Sequence, residues 1–266
     1  MSLLLGYNTN GFAHHGLGDA LEAIAATGYR SVGLTLDVHH AHPDKTDFGE
    51  LARTLERLGL TPVVETGARF LLDRARKHHP TLMSEQGRDK RIEFLVRCVD
   101  IAAELGAPAV SFWSGAGEEW EVLVEGLSLA CDRADAAGVD LAFEPEPGMF
   151  IDTMAQFDEL CRRFDHPRLK LTLDVGHIHC LETEPPEDVI RRYADRLVNV
   201  HLDDHRKSVH EHLMFGEGEI DFAPVMQALN DVAENRDLPA TVELSRHSHD
   251  AVETARRAFE FLASRD

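Results

Sequence analysis

Short apolar, β-branched runs alternate with longer amphipathic stretches along the whole chain, and they do so eight times. The runs are Leu3–Asn8, Ser31–Leu36, Thr61–Glu65, Ala109–Trp113, Val139–Glu144, Leu169–Asp174, Leu197–Leu202 and Ala240–Glu243. The stretches between them are Gly18–Thr27, Asp47–Leu58, Arg88–Leu105, Glu119–Ala137, Thr153–Phe164, Pro186–Ala194, Phe222–Asn235 and Asp250–Ala263. Each carries an apolar stripe at helical spacing, such as Ile92, Leu95, Val96 and Val99. Gly28, Gly59, Gly106 and Gly138 stand where helix C-caps belong. Repeated βα units require a parallel sheet with right-handed crossovers. Eight of them predict an α/β fold, a single (β/α)8 TIM barrel over residues 1–266. A doubly wound open sheet is the alternative. It normally carries a phosphate-binding glycine loop after the first strand, where this chain reads Tyr7-Asn8-Thr9-Asn10-Gly11-Phe12. No nucleotide cofactor is therefore expected. Gly216-Glu217-Gly218-Glu219 is too acidic to cradle phosphate and reads as a turn beneath the last strands.

Composition narrows the partners. Against 27 Lys and Arg stand 47 Asp and Glu, a net charge of −20, so a phosphate backbone is repelled and no nucleic-acid partner is expected. No apolar run approaches the ~20 residues that span a bilayer, so no membrane partner is expected either. The amino terminus has no basic region or cleavage site. Cys98, Cys131, Cys161 and Cys180 form no CxxC pair and read as reduced structural thiols, which implies a cytoplasmic location. A homo-oligomer is compatible with the sequence, which does not specify one.

Histidine is the informative residue type. Active sites of βα barrels sit at the C-terminal ends of the strands. Of sixteen histidines, only His166 falls on the opposite rim. The others follow strands one to three and six to eight, which points to a metal site, a polar substrate or both. Four consecutive strands end in Glu144, Asp174, His201 and Glu243. Each acid follows an apolar run, where an unpaired carboxylate is costly and a divalent cation removes the cost. Three carboxylates and one imidazole form a hard ligand set, suited first to Mn²⁺, with Mg²⁺, Co²⁺ or Zn²⁺ as alternatives, one ion per chain. Glu146 competes with Glu144 as a ligand, and strand register favours Glu144. Trp113 and Phe112 are either sugar-stacking groups or barrel packing. Arg246 faces either a substrate anion or a site acid. Asp203, Asp204 and His205 read as solvated loop. No Ser or Cys stands beside a His and an acid, so nucleophilic hydrolysis has no support. The loops 66–87 and 203–221 are long enough to be functional. Arg69, Arg74, Arg76 and Lys77 on the first could close over an acidic mouth, or the loop could pack at a subunit interface.

These strand ends resemble the xylose-isomerase-like TIM barrels. The resemblance spans the chain and rests on Phe143-Glu144-Pro145, Asp174-Val175-Gly176-His177, Val200-His201-Leu202-Asp203, the run from His212 through Gly216-Glu217-Gly218-Glu219 to Asp221, and Val242-Glu243-Leu244. The epimerase branch of that family implies Glu144, Asp174, His201 and Glu243 as metal ligands, with the two glutamates as acid and base. It implies His177 as a substrate-holding group beside the metal. His212, Arg246 and Trp113 are expected on the substrate side as well. The implied activity is a metal-dependent isomerase or epimerase acting on a sugar, keto-sugar or cyclitol through an enediolate. The alternative is a metal-dependent dehydratase of an inosose- or dehydroshikimate-like substrate. Endonuclease IV is a more distant relative. It has a histidine where this chain carries Trp113 and an aspartate where it carries His210, and both departures count against a nuclease.

Overall fold

A computed structural model describes residues 1–265. Eight parallel strands close into a barrel in the order β1-β10-β7-β6-β5-β4-β3-β2. They are β1 (Leu3–Asn8), β2 (Ser31–Thr35), β3 (Thr61–Glu65), β4 (Ala109–Phe112), β5 (Asp140–Phe143), β6 (Leu169–Asp174), β7 (Leu197–Leu202) and β10 (Leu238–Val242). The seam is the β1–β10 pairing, which runs from Leu3 opposite Leu238 to Tyr7 opposite Val242. The surrounding helices are α1 (Leu17–Thr27), α2 (Phe48–Leu58), α3 (Arg88–Leu105), α4 (Trp120–Ala137), α5 (Met154–Arg163), α7 (Pro186–Arg192), α8 (Phe222–Ala233) and α9 (Ala251–Ala263). All eight expected βα units are present. Four helices end on the expected glycines, each in the left-handed region. Asp47 caps α2 by accepting from Glu50 N at 2.9 Å, and Thr153 with Gln156 forms a capping box on α5. Among the described residues no helix is long and apolar enough to cross a membrane.

The apolar core lies between strands and helices. Phe112 and Phe143 meet edge to face at 5.2 Å there, and Phe157 continues the stack. The barrel lumen is polar towards its C-terminal end. Thr172 Oγ1 donates to Ser111 Oγ at 3.0 Å, and Asn199 Nδ2 donates to Glu65 Oε1 at 3.2 Å. Strands β7 and β3 are not neighbours in the sheet, so the second bond crosses the barrel interior.

Four short elements were not expected from the sequence. A helix α6 (Val175–Leu181) follows β6 directly, and a two-stranded hairpin, β8 (Asp204–Arg206) with β9 (Val209–Leu213), rises from the loop after β7. Two 3-10 turns follow β1 and β10. The α6 sequence is too short and too uniformly buried to show a helical period. Its start is set by Asp174, which accepts from His177 N at 2.8 Å.

Strands β1 and β2 approach closely at Gly6. A β-carbon there would lie 2.1 Å from Ser31 Oγ and 2.7 Å from its carbonyl oxygen. Gly6→Ala is expected to lower stability by roughly 1–3 kcal/mol through overpacking against fixed backbone. A urea midpoint that falls at constant slope would show it, and an unchanged midpoint would contradict it.

Candidate metal centre and substrate cavity

Strand register assembles the site. Asp174 pairs with His201 across β6 and β7. Glu144 N donates to Phe112 O at 2.8 Å and Glu243 N donates to Leu202 O at 3.0 Å, so both glutamates extend the ladder by one residue. The side chains of Glu144, Asp174, His201 and Glu243 then meet, each offering one atom within 4.8 Å of the others. His201 Nδ1 lies 3.0 Å from Glu144 Oε1, 3.1 Å from Glu243 Oε2 and 4.0 Å from Asp174 Oδ2. Its Nε2 lies 3.0 Å from Glu65 Oε1. A proton on Nε2 donated to Glu65 would leave the Nδ1 lone pair for a cation held together with the three carboxylates. This is the arrangement by which a carboxylate fixes the tautomer of a metal-binding histidine.

The electrostatics are those of a site built for a cation. Burial pushes Glu144 up to about 8 despite the neighbouring His201, and pushes Asp174 up to about 7 with Asp203 adding to it. Burial opposes the charge on Glu243 too, but His201 outweighs it and holds that carboxyl well below the usual range. Burial likewise lowers His201, yet Glu144, Glu65 and Glu243 hold it well above an ordinary imidazole. One imidazolium cannot balance three buried carboxylates. Asp174 Oδ2 is buried with no partner, while its Oδ1 is occupied by His177 N. A divalent cation fits this set: three oxygen donors, one nitrogen donor and an orphaned oxygen aimed at their common centre.

Three supporting residues escaped the sequence reading. Glu65 orients His201, Asn199 donates to Glu65, and Asn10 Nδ2 donates to Glu243 Oε1 at 2.7 Å. A signal was present for the first, because Glu65 ends an apolar strand as the four quartet residues do.

A wall of histidines flanks the quartet. His177 Nδ1 donates to Pro145 O at 3.1 Å, and its buried Nε2 has no hydrogen bond among the described residues, lying 3.7 Å from Asp174 Oδ2. The rings of His177, His205, His210 and His212 lie 5.0–6.3 Å apart in every pairing. The reading of Asp203, Asp204 and His205 as solvated loop is overturned: all three are buried. Asp203 Oδ2 holds His205 Nε2 at 3.0 Å and also His212 Nδ1. Burial opposes the charge on His212, but Asp203 prevails and the imidazole is pushed up to about 10. Gly176 on α6 makes room, since a β-carbon there would lie 2.2 Å from His205 Cδ2 and 2.4 Å from Asp203 Oδ1. Asp204 accepts from the backbone N–H of Gly216, Gly218 and Ile220 at 2.8–3.1 Å. The Gly216–Glu219 segment is thus wrapped around Asp204 on the C-terminal rim, not beneath the strands. Alternating glycine and glutamate gave no hint of it, because the partner is a side chain twelve residues upstream.

These groups open into a cavity of about 910 Å³. Glu144, His177, His201, His212, Glu243, Arg246 and Trp113 line it, and Asp174 sits behind them. Phe112 points into the core, whereas Trp113 faces the cavity. The Arg91 guanidinium covers the Trp113 ring at 4.6 Å and His78 meets its edge at 5.7 Å. Glu146 also lines the cavity but lies outside the quartet.

A closed parallel barrel with carboxylates and an imidazole converging at the C-terminal mouth defines the class: an α/β barrel whose mouth gathers residues that could hold a metal ion. Residues 21–265 match the model of the xylose isomerase-like TIM barrel family, and the chain belongs to that family. Inosose dehydratase from Lacticaseibacillus casei is 30% identical over 131 residues, 43% of this chain and 44% of that protein. The match thus spans less than half the length of that relative. Among solved structures, L-ribulose 3-epimerase superposes with a TM-score of 0.77 at 20% identity, covering 99% of this chain and 94% of that one. The IolI protein, solved with a bound zinc atom, superposes at 0.75 with 18% identity, covering 99% and 98%.

Removing the carboxylate behind His201 tests the outer support. Glu65→Ala is expected to weaken Mn²⁺ binding by roughly 10–100-fold, with Glu65→Gln intermediate, in titrations of metal-stripped protein. Unchanged affinity in both variants would remove Glu65 from the centre.

Proposed function

We propose that the protein is a divalent-metal-dependent enzyme that moves a proton on an α-hydroxy ketone of the sugar or cyclitol type, as an isomerase or epimerase. The observation that carries this reading is the approach of Glu144 and Glu243, from strand ends on either side of β7, each to about 3 Å from His201 Nδ1, in a carbohydrate-sized cavity. Glu144, Asp174, His201 and Glu243 would hold the cation, Mn²⁺ first by the hardness of the donor set. Bound there, a divalent ion supplies Lewis-acid polarisation of the substrate carbonyl.

The residues of the chain do the rest. Trp113 offers an apolar platform for one face of the sugar, with Arg91 fixing the indole from behind. His177 Nε2, unprotonated and unpartnered, accepts from a substrate hydroxyl. A glutamate on one side removes the proton from the carbon next to the carbonyl. The glutamate on the other side delivers a proton to the opposite face, which inverts that carbon. Delivery to the neighbouring carbon instead interconverts aldose and ketose. Burial raises the Glu144 carboxyl, a shift that a bound cation would oppose.

A dehydratase is the second reading, favoured by the Asp203–His212 pair and by the likeness to inosose dehydratase. A glutamate of the quartet would take the proton from the carbon next to the carbonyl while His212 gives its proton to the departing β-hydroxyl: the C–H and C–O bonds break, a C=C bond forms and water leaves. Glu144→Gln and Glu243→Gln are each expected to abolish substrate C–H exchange in D₂O, followed by NMR on a panel of ketoses and inososes, without unfolding the barrel. Full exchange in both variants would refute the assignment. Loss of 18 Da, one water, from the product would select the dehydratase over the isomerase.

A further inference from the structure

The cavity mouth carries two cations that form no hydrogen bond or ion pair among the described residues. In a chain with 47 acidic and 27 basic residues, the neighbouring cations are mostly taken. Arg69 is held by Asp37 at 2.6 Å, Arg76 by Asp73 at 2.8 Å and Arg206 by Glu211 at 2.7 Å. Lys207 donates to Glu182 O at 2.5 Å. Lys77 and Arg246 line the same cavity from different loops, after β3 and after β10, and neither has a hydrogen bond or ion pair among the described residues. Partial burial, with Arg69 and Arg246 adding repulsion, lowers the Lys77 ammonium. Glu243 and Glu146 attract it, but both Glu243 oxygens are committed, to Asn10 and to His201, and Glu146 forms no ion pair with it among the described residues. A third cation stands behind the cavity wall. Arg91 is 2% exposed, bonds only to Thr66 O and Oγ1, and leaves its Nη1 buried without a partner. Thr66 and Trp113, which it touches, both line the cavity.

A buried guanidinium with no ion pair, offset only by the Phe94 and Trp113 rings and the field of Glu146, and two more cations without ion pairs in one cavity, gain from an anion that arrives there. We propose that Lys77 and Arg246 form an anion subsite, so that the substrate is a keto sugar bearing a carboxylate or a phosphate at the end remote from its carbonyl. This inference rests on the reading of the cavity as a carbohydrate site and narrows its substrate class. Lys77 and Arg246 converge from separate loops and form charge-assisted hydrogen bonds to the anion. Arg91 adds a fixed positive field from behind Trp113. The neutral end of the sugar then lies over the glutamates.

The test uses three six-carbon ketoses that differ only at C6: D-fructose, D-fructose 6-phosphate and D-fructuronate. Their binding to the Mn²⁺-loaded full chain is measured by calorimetry, and C–H exchange in D₂O is followed on the same samples. One charged sugar should bind roughly tenfold or more tightly than D-fructose, and which one does so tells phosphate from carboxylate. In the double variant Lys77→Met with Arg246→Met, that ratio should fall to about one. Charged sugars that bind no better than D-fructose, or do not bind, overturn the subsite, as does a ratio that survives the double substitution. Charge discrimination without exchange on any sugar would keep the subsite and remove the proposed reaction. Exchange without discrimination would do the reverse.

Discussion

The imidazole of His201 is the contact on which the site depends. Three carboxylates approach its Nδ1 and a fourth holds its Nε2, all in a barrel mouth where water is scarce. Isolated carboxylates in such a place would cost far more than a small domain's stability allows. The imidazole makes the burial tolerable, and a cation held by the same set would complete the compensation. The imidazole also brings Glu144 and Glu243 to face each other across a small gap. The same desolvation that threatens the fold raises the Glu144 and Asp174 carboxyls, a shift that a coordinated cation would oppose. Stability and chemistry therefore draw on one arrangement of charge.

Everything around that contact serves to hold it still. The polar lumen, from Ser111 and Thr172 to Asn199 and Glu65, props the imidazole from below through bonds that cross the barrel. Asn10 fixes Glu243 from the side. On the other flank α6 starts on Asp174 itself, so one carboxylate both caps a helix with one oxygen and leaves the other for the centre. The hairpin after β7 stands on Asp204, whose carboxylate ties down three backbone N–H groups. Its neighbour Asp203 faces inward and organises His205 and His212. Two adjacent aspartates thus do different work because alternate residues of an extended chain point to opposite sides.

The βα alternation was legible because hydrophobic period and glycine caps are local signals: the period recurs eight times and the glycine cap four. The quartet was legible because a polar residue at the end of an apolar strand is unusual. Glu65 ended such a strand too, yet its role is to face His201 from the far side of the lumen, a relation that no spacing along the chain encodes. Asp203, Asp204 and His205 looked like ordinary loop because burial of a loop depends on what packs over it, here α6 and the turn at Gly216. Trp113 and Phe112 were indistinguishable in sequence, and the strand's exit separated them: Phe112 into the core, Trp113 into the cavity.

The sequence by itself determined the class of fold, the rim on which polar chemistry collects and the residues able to bind a hard cation. Those follow from periodicity, strand ends and side-chain donor type, all written in one dimension. Only the tertiary structure decided which cations remain unpaired at the mouth, which histidines meet and which nitrogen of His201 faces the centre. Those are properties of barrel closure, which places residues more than a hundred positions apart within hydrogen-bonding distance. The charge left over after such pairing is a sum over neighbours that exist only once the barrel has closed.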